Sequence, residues 1–214
     1  MGLGKNENGK LIKAINENDV KKVQLVLEAS IKKNKIFKLN EKDDNGEYPY
    51  ILATFNNNID IIILLLDYAN EYNIILEINK KGKNGWYSLL SAIDKNNIEM
   101  VKLIMEYAKK NGIILELNEK NEMGQYPILS ATLNNNIEII KLLLEYANQK
   151  EINLKFNEGD INDIGKINHE IIKLIHRYVK EGTIKIEYRN NSKLLAMFKE
   201  IDEKEKVENV NNLN

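Results

Sequence analysis

The sequence has 214 residues, of which 43% are hydrophobic and 29% are charged, a composition typical of a globular protein with a substantial core. Its 31 basic and 32 acidic residues give a formal net charge of -1, which argues against a surface built to bind nucleic-acid phosphates. Cysteine is absent, which excludes disulfides, thiolate metal sites and cysteine nucleophiles and fits a reducing compartment, for which we take the cytoplasm.

The N-terminal region, residues 6–44, is predicted to form a polar first unit. The residues at its start lack the apolar core of a signal peptide. Lys10 and Lys13 occupy positions where later units are more apolar, and a terminal repeat needs such a polar outer face. Ala14 lies 39 residues before Ala53, which relates this unit to the next one.

Three further units repeat one sequence pattern with a period of 39 residues. The pattern reads Asn-Gly-Glu-Tyr-Pro-Tyr-Ile-Leu-Ala in the first copy, and the three copies begin at Asn45, Asn84 and Met123. A second block, Asn-Ile followed by an acidic residue, begins at Asn58, Asn97 and Asn136. The spacing predicts units at about 45–83, 84–122 and 123–157.

Each unit is predicted to contain a short first helix and a longer second helix. Pro49 and Pro127 suit the first turn of the first helix, where the missing N–H has no helical partner. In the third copy, Glu138, Lys141 and Glu145 form one polar stripe on the second helix. The remaining circumference of that helix is apolar, so neighbouring units must cover it. The asparagine that opens each second block is well placed as an N-cap.

Short apolar stretches, such as residues 74–78 and 113–117, join one unit to the next. Their partial alternation predicts an extended segment that enters a hairpin-like loop. The longest apolar run in the chain, residues 61–66, is far too short to span a bilayer.

The repeat becomes degenerate after residue 157. Residues 170–174 match residues 138–142 at an offset of 32, so about one helix is missing and the first helix of this unit, 158–189, is expected to be shortened or lost. Residues 192–203 predict a terminal helix. The charged, asparagine-rich residues 204–214 predict a disordered tail.

These units resemble ankyrin repeats. The family pattern is a glycine, any residue, Thr-Pro-Leu-His, any residue and an alanine, followed by a second helix that ends in a leucine-rich stretch. Here it reads Gly46-Glu47-Tyr48-Pro49-Tyr50-Ile51-Leu52-Ala53, and the second block that matches best is residues 136–147. The resemblance covers about residues 10–179. It implies an all-α, ankyrin-like repeat solenoid of stacked helix pairs with hairpin-like loops.

The chain departs from the ankyrin pattern in a regular way. Its period is 39 residues instead of 33, and the additional residues follow the second helix. Tyrosine replaces the threonine at Tyr48, Tyr87 and Tyr126. Isoleucine or leucine replaces the histidine at Ile51, Leu90 and Leu129. We therefore expect apolar packing to do the work of the family's contacts between threonine and histidine. Because the tyrosine recurs in register, we interpret it as structural.

The resemblance also implies a binding surface, since ankyrin-like proteins generally bind protein partners through the loop tips and the exposed part of the first helix. Carried over position by position, this surface comprises the residue after each repeat glycine and the variable residues near the end of each first helix. These residues are Glu47, Phe55, Asn56, Trp86, Asp94, Lys95, Gln125, Leu133 and Asn134. The loop tips add Asp43, Asp44, Lys83 and Glu122.

Trp86 is the single tryptophan, and its equivalents Glu47 and Gln125 are polar, which predicts that it is exposed to solvent. An exposed tryptophan that anchors a partner contributes roughly 2 kcal/mol or more to binding. The alternative is that Trp86 folds back on the adjacent loop. Local packing is also the alternative for Phe55 and Leu133.

Other functions have weaker support in the sequence. Lys80, Lys81 and Lys83 cluster at one loop tip, but the equivalent tips are acidic or mixed, so no continuous basic track for nucleic acid is expected. His169 and His176 are seven residues apart, yet no third metal ligand is evident. We predict no catalytic residue, no cofactor and no metal site.

The sequence thus predicts a single domain over residues 1–203 that acts as a protein–protein interaction module, a scaffold or adaptor, and not as an enzyme. We expect a monomer that binds an unidentified protein and neither nucleic acid nor a membrane. The alternative is a structural spacer, or a fragment of a longer repeat array, without a specific ligand of its own.

Overall fold

Paired helices make up most of the structure, a computed structural model that describes residues 4–43, 45–161, 164–188, 190 and 192–211. The pairs are α1 (Gly4–Asn16) and α2 (Val20–Lys32), α3 (Pro49–Phe55) and α4 (Ile59–Glu71), α5 (Ser88–Asp94) and α6 (Ile98–Lys110), and α7 (Pro127–Leu133) and α8 (Ile137–Gln149). They are followed by β1 (Leu154–Asn157), α9 (His169–Lys180), β2 (Ile184–Glu187) and α10 (Lys193–Asn211). The predicted all-α repeat fold is confirmed.

Contacts divide the chain into two compact units that are larger than single repeats, and from here on the first and second unit mean these two. The first comprises the chain up to Glu116 together with Lys120–Met123, and the second comprises Leu117–Glu119 together with the chain from Gly124. In the first unit, the first helices α1, α3 and α5 pack in sequence, and each packs against its own second helix. In the second unit, α8 packs on both α7 and α9, and α10 packs on α9. The single domain over residues 1–203 stays a prediction.

The second helices begin at the predicted asparagines. The N-caps are Asn58, Asn97 and Asn136. The side chain of each accepts a hydrogen bond from the backbone N–H of the residue three positions later, at 2.9–3.1 Å. The residue before each N-cap is also an asparagine and has φ of 52–56°. Asparagine tolerates this left-handed conformation better than most residues, so the Asn-Asn pair fixes the sharp turn between first and second helix. The prediction of these N-caps is confirmed.

The first helices begin at a tyrosine that provides no side-chain cap. Pro49 and Pro127 occupy the first turn, as predicted. One alanine in each first helix is fully buried, which permits close approach of the neighbouring helices, at Ala53, Ala92 and Ala131. Short helices without caps are marginal by themselves, so packing against the second helices must stabilise them.

The repeated tyrosine is buried in every copy, and two of the copies make hydrogen bonds to a following segment. The Tyr87 hydroxyl donates to the carbonyl of Glu116 at 3.1 Å, whereas the Tyr126 hydroxyl accepts from the N–H of Asn157 at 3.0 Å. Burial raises the pKa of Tyr126 to about 12, so the hydroxyl stays neutral. The expectation that apolar packing alone replaces the family's polar contacts is therefore incomplete.

Asparagine side chains join the extended segments that follow successive second helices. Within the first unit, the amide of Asn40 donates to the carbonyl of Ile75 at 2.8 Å and accepts from the N–H of Glu77 at 3.0 Å. Asn79 makes the same pair of bonds to Ile114 and Glu116, at 2.7 and 3.3 Å. In the second unit, Asn118 bonds to Asn153 and Lys155 at 2.9 and 2.8 Å. We call Asn40, Asn79 and Asn118 the asparagine bridges.

The extended segments behave differently along the chain. Residues 74–78 and 113–117 alternate between exposed and buried side chains, but they are turns and irregular backbone. The corresponding segment of the second unit forms β1, which pairs in parallel with β2 in the register Leu154 to Ile184. The sequence did not predict this two-stranded sheet.

The C-terminal part departs from the regular repeat. Two short 3-10 turns, Glu158–Asp160 and Ile164–Lys166, stand where a regular unit has its first helix. The Glu158 carboxylate is buried and accepts the backbone N–H of Leu194 at 3.1 Å, at the start of α10. The predicted disordered tail is wrong for residues 204–211, because α10 continues to Asn211.

Candidate functional site

The loops that precede α3 and α5 are each closed by a backbone hydrogen bond. The N–H of Asp43 donates to the carbonyl of Glu47 at 2.8 Å, and the N–H of Gly82 donates to the carbonyl of Trp86 at 2.7 Å. Gly46 has φ of 84°, a conformation that glycine adopts without strain. The loop therefore holds the residue after the repeat glycine in a defined orientation at the start of the helix.

Three of the residues predicted for the binding surface form a cluster, Phe55, Trp86 and Lys95. The rings of Phe55 and Trp86 meet edge to face, with centroids 6.1 Å apart and an interplanar angle of 74°. The Lys95 ammonium lies 4.2 Å from the centroid of the Phe55 ring, a cation–π contact. Phe55 ends α3, Trp86 precedes α5 and Lys95 follows it, so adjacent repeats bring the three side chains together. We call these residues the aromatic cluster.

The aromatic cluster is partly open to solvent. Phe55 keeps 44% of its surface exposed, and both Trp86 and Lys95 are half-buried. Trp86 is thus less exposed than the sequence predicted, because its ring packs against Phe55. The alternative was that Trp86 packs against its own loop, whereas its ring contacts Phe55 of the preceding repeat. Aromatic pairs in this geometry are held by about 0.5–1.5 kcal/mol beyond their buried area, which limits their rotamer freedom.

Glu47 is half-buried, and its side chain contacts the loop of the next repeat. Burial raises the pKa of its carboxyl, although a hydrogen bond from the backbone N–H of Lys83 opposes the rise. A Cβ added at Gly82 would overlap with Glu47 Oε2, so this glycine leaves the room that the carboxylate occupies. These contacts indicate that Glu47 joins the loop before α3 to the loop before α5.

The polar residues beside the cluster differ in their surroundings. Asn56 donates its amide to the carbonyl of Ile15 at 2.7 Å, which ties the end of α3 to the end of α1. Asp94 is half-buried at the end of α5. At the loop tips, Asp43 accepts the N–H groups of Asn45 and Glu47, at 2.9 and 2.8 Å, and so closes its loop.

The remaining predicted residues are distributed along the chain. Lys83 and Glu122 are exposed, and the N–H of Glu122 donates to the carbonyl of Asn84 at 3.0 Å. Asp44 lies outside the described residues. In the second unit, Leu133 is 49% exposed at the end of α7, Asn134 is exposed and Gln125 is half-buried.

The sequence reasoning missed two features that recur in register. The asparagine bridges follow the 39-residue period, as do three exposed isoleucines, Ile36, Ile75 and Ile114. Their spacing was visible in the sequence. Their roles were not, because the amide partners and the outward direction of the isoleucines depend on how successive segments lie beside each other.

The histidines discussed above do not converge. His169 is exposed, whereas His176 is buried, stacks on Phe198 and lies 2.9 Å from a carboxylate oxygen of Asp202. Among the residues that the structure describes, no group of three or more His, Cys, Asp or Glu side chains is arranged to hold a metal ion. A cleft of about 570 Å³ between α8 and α9 is lined by side chains of both charges, such as Lys141 and Glu145.

No helix within the described ranges combines the length and the apolar composition needed to cross a membrane.

Comparison with known proteins gives one family. A family model described as "Ankyrin repeats (3 copies)" matches residues 11–114 and 72–156, which together span more than half of the chain. No curated protein matches the sequence.

Proposed function

The chain belongs to the ankyrin-repeat family, and from this membership we propose that it binds a protein partner through its loop tips and the exposed surface of its first helices. Ankyrin repeats are generally protein–protein interaction modules, and proteins built from them are typically not enzymes. The observation that supports this site is the aromatic cluster, which gathers predicted surface residues from two adjacent repeats.

The aromatic cluster has the chemistry of a binding anchor. Trp86 and Phe55 offer apolar surface from rings that already pack against each other, so little side-chain entropy is lost when a partner covers them. Lys95 places a positive charge over the same surface. A partner that offers an apolar side chain next to a carboxylate fits this combination.

The other predicted residues flank the anchor in our proposal. Asp94 and Asn56 adjoin Lys95 and Phe55 in the sequence. Asn56 and Glu47 contact the scaffold, which makes them secondary contributors. Gln125, Leu133 and Asn134 offer a second part of the surface, with Leu133 as its apolar residue. We further propose that the protein acts as a monomer in the cytoplasm, without nucleic acid, membrane or cofactor.

A cross-linked pull-down from the cytosol of the source cell tests the proposal. The native chain is compared with a Trp86→Ala, Phe55→Ala double variant whose circular dichroism spectrum is unchanged. A Leu25→Ala variant is the matched control, because Leu25 is an exposed apolar residue on α2 that lies outside the proposed surface.

We expect the native chain and the control to capture the same protein and the double variant to lose it, because removal of the anchor costs roughly 2 kcal/mol or more. Equal capture by all three proteins would remove the aromatic cluster from the binding surface. Absence of specific capture would favour the alternative, a structural spacer or a fragment of a longer repeat array.

A further inference from the structure

Three isoleucines form an exposed row on the first unit, and they belong to none of the surfaces described above. Ile36, Ile75 and Ile114 are 52%, 58% and 61% exposed. Each stands in the segment that follows a second helix, and the three are separated by the repeat period. We call them the isoleucine row.

The asparagine bridges hold the isoleucine row together. Asn40, four residues after Ile36, donates to the carbonyl of Ile75, and Asn79, four residues after Ile75, donates to the carbonyl of Ile114. The residues that directly follow the isoleucines in the chain, Phe37, Leu76 and Leu115, are buried. The isoleucine side chains therefore point away from the core. The row is therefore one apolar strip across adjacent repeats.

Exposure that recurs at one position in three repeats differs from scattered surface leucines and isoleucines, which need no explanation. The three side chains expose on the order of 300 Å² of apolar surface, comparable to the largest, often functional, patches of about 300–600 Å² on monomers. Each partner in a stable protein–protein complex buries about 800 Å². The row alone is therefore too small to hold two copies of this chain together, but it suits the narrow apolar stripe of one helix.

The charged residues beside the row indicate which charges the partner helix carries on either side of its apolar stripe. Two residues after each isoleucine comes Lys38, Glu77 or Glu116, each of them exposed. Glu41 contacts the Lys38 ammonium at 2.7 Å, and Lys80 approaches Glu77 only to 3.9 Å. In the part of the chain that the structure describes, the Glu116 carboxylate makes no ion pair. Glu77 and Lys80 offset each other's charge, so the net negative charge at the Ile75–Ile114 end of the row is that of Glu116.

We propose that the isoleucine row binds an amphipathic helical segment of a partner protein, whose apolar stripe is flanked by lysine or arginine. The isoleucines bury the stripe, and Glu77 and Glu116 pair with its basic residues. This surface uses none of the residues assigned to the aromatic cluster, so it is a second binding surface of the repeat array.

Fluorescence anisotropy with synthetic peptides tests the proposal. The probe is a labelled amphipathic peptide of about three heptads with leucine on one stripe and lysine at the flanking positions. A second peptide has the same leucines and glutamate in place of lysine. Both are titrated with the native chain, an Ile75→Ser, Ile114→Ser variant and a Glu116→Gln variant. The controls are Leu25→Ser and the Trp86→Ala, Phe55→Ala variant.

We expect the lysine peptide to bind the native chain and the Leu25→Ser control equally. The double isoleucine variant weakens this binding by about tenfold or more, because two apolar contacts are lost. Glu116→Gln weakens it by about threefold and reduces its dependence on salt. The Trp86→Ala, Phe55→Ala variant binds the lysine peptide as the native chain does, which separates this surface from the aromatic cluster.

Four results would overturn the proposal. The first two are failure of the lysine peptide to bind and undiminished binding to the double isoleucine variant. The third is equal binding of the glutamate peptide. The fourth is self-association of the native chain in sedimentation that the isoleucine substitutions abolish, because the row would then belong to a second copy. Circular dichroism and the urea midpoint establish that each variant is folded, as expected for substitutions at exposed positions.

Discussion

Asparagine contributes to this structure at the residue scale in three separate ways. Its short amide tolerates positive φ, as at Asn57 and Asn73. It accepts the free N–H groups at a helix start, as at Asn58. In the asparagine bridges it donates and accepts at once, which lets one side chain satisfy both backbone groups of a neighbouring segment.

Replacement of a bridge asparagine should destabilise the fold. Asn79→Ala removes the hydrogen bonds to Ile114 and Glu116, and we expect the free energy of unfolding to fall by about 1–2 kcal/mol. Urea denaturation followed by circular dichroism measures the change. The control is Asn70→Ala on the exposed face of α4, which should leave stability unchanged or slightly higher because alanine favours helix. Equal effects of the two substitutions would contradict the bridging role.

The left-handed residue after each second helix offers a test with a natural precedent. Asn73 has φ of 54°, and the equivalent position one repeat later is Gly112, with φ of 67°. We expect Asn73→Gly to preserve or raise stability by up to about 0.5 kcal/mol and Asn73→Val to lower it by about 1–2 kcal/mol. Thermal midpoints of the two variants measure this difference. A valine variant as stable as the glycine variant would show that the backbone relaxes there.

At the scale of elements, α10 shows how charged residues can order a segment that composition alone assigns to disorder. Lys180 on α9 forms ion pairs with Asp202 and Glu205 on α10, and His176 contacts Asp202 at 2.9 Å. Phe198 covers the His176 ring. Local composition predicted the beginning of this helix but not its end, because the partners that extend it lie on α9.

The attachment of α10 should weaken in acid. Lys180 and His176 hold the pKa of Asp202 at about 2, below its ordinary value of 3.8. A lowered pKa means that the folded state prefers the ionised carboxylate, so its stabilising contribution is present above pH 3.8 and is lost as the pH falls towards 2. Asp202→Asn should therefore lower stability at neutral pH and flatten its decline over that acid range.

Urea midpoints measured between pH 7 and pH 2 check the effect of Asp202→Asn. The matched control is Asp67→Asn on α4, because Asp67 is an exposed acid that forms no ion pair within the described residues. It should reproduce the native pH profile. An Asp202→Asn profile parallel to the native one would show that other acids control the transition.

In the candidate binding surface, the sequence of a single repeat predicts the positions of the residues but not the contacts between residues of different repeats. The repeat register assigned Phe55, Trp86 and Lys95 to three variable positions expected at the surface, since this information lies within each copy. It did not reveal their mutual contact, because Phe55 and Trp86 belong to different repeats and meet only when those repeats pack. The isoleucine row was missed for a related reason. A short apolar stretch does not say which of its residues face the core.

At the scale of the whole molecule, repetition makes equivalent positions interchangeable. The hydroxyl of Tyr68 accepts the N–H of Phe37 at 3.0 Å, and the hydroxyl of Tyr107 accepts the N–H of Leu76 at 2.8 Å, one period later. These two hydrogen bonds join successive repeats in the same way. Removal of a full period should therefore bring together two repeats that can form the same hydrogen bond. The period, and with it the helix pairs, could be predicted from the sequence. The strands β1 and β2 could not, since the partner that β1 needs is β2, which lies beyond the interruption of the period.

Deletion of one period from within a helix tests this equivalence. Removal of residues 62–100 joins α4 to α6 in register and places Asn40 opposite Ile114 and Glu116. We expect a folded, helical protein with a lower urea midpoint, because one interface between repeats is lost. Removal of residues 62–98 instead rotates the apolar face of the joined helix by about 200°, and this variant should lose cooperative unfolding. Equal behaviour of the two deletions would refute the equivalence.

The asparagine bridges have a consequence for the ageing of the protein. A side-chain amide carries no charge, so the bridges do not respond to ordinary changes in acidity or ionic strength. Slow hydrolysis of the amide of Asn40 or Asn79 gives a carboxylate, which keeps its acceptor oxygens but has no N–H for the carbonyl of Ile75 or Ile114. Each such hydrolysis therefore removes one of the hydrogen bonds that join neighbouring repeats.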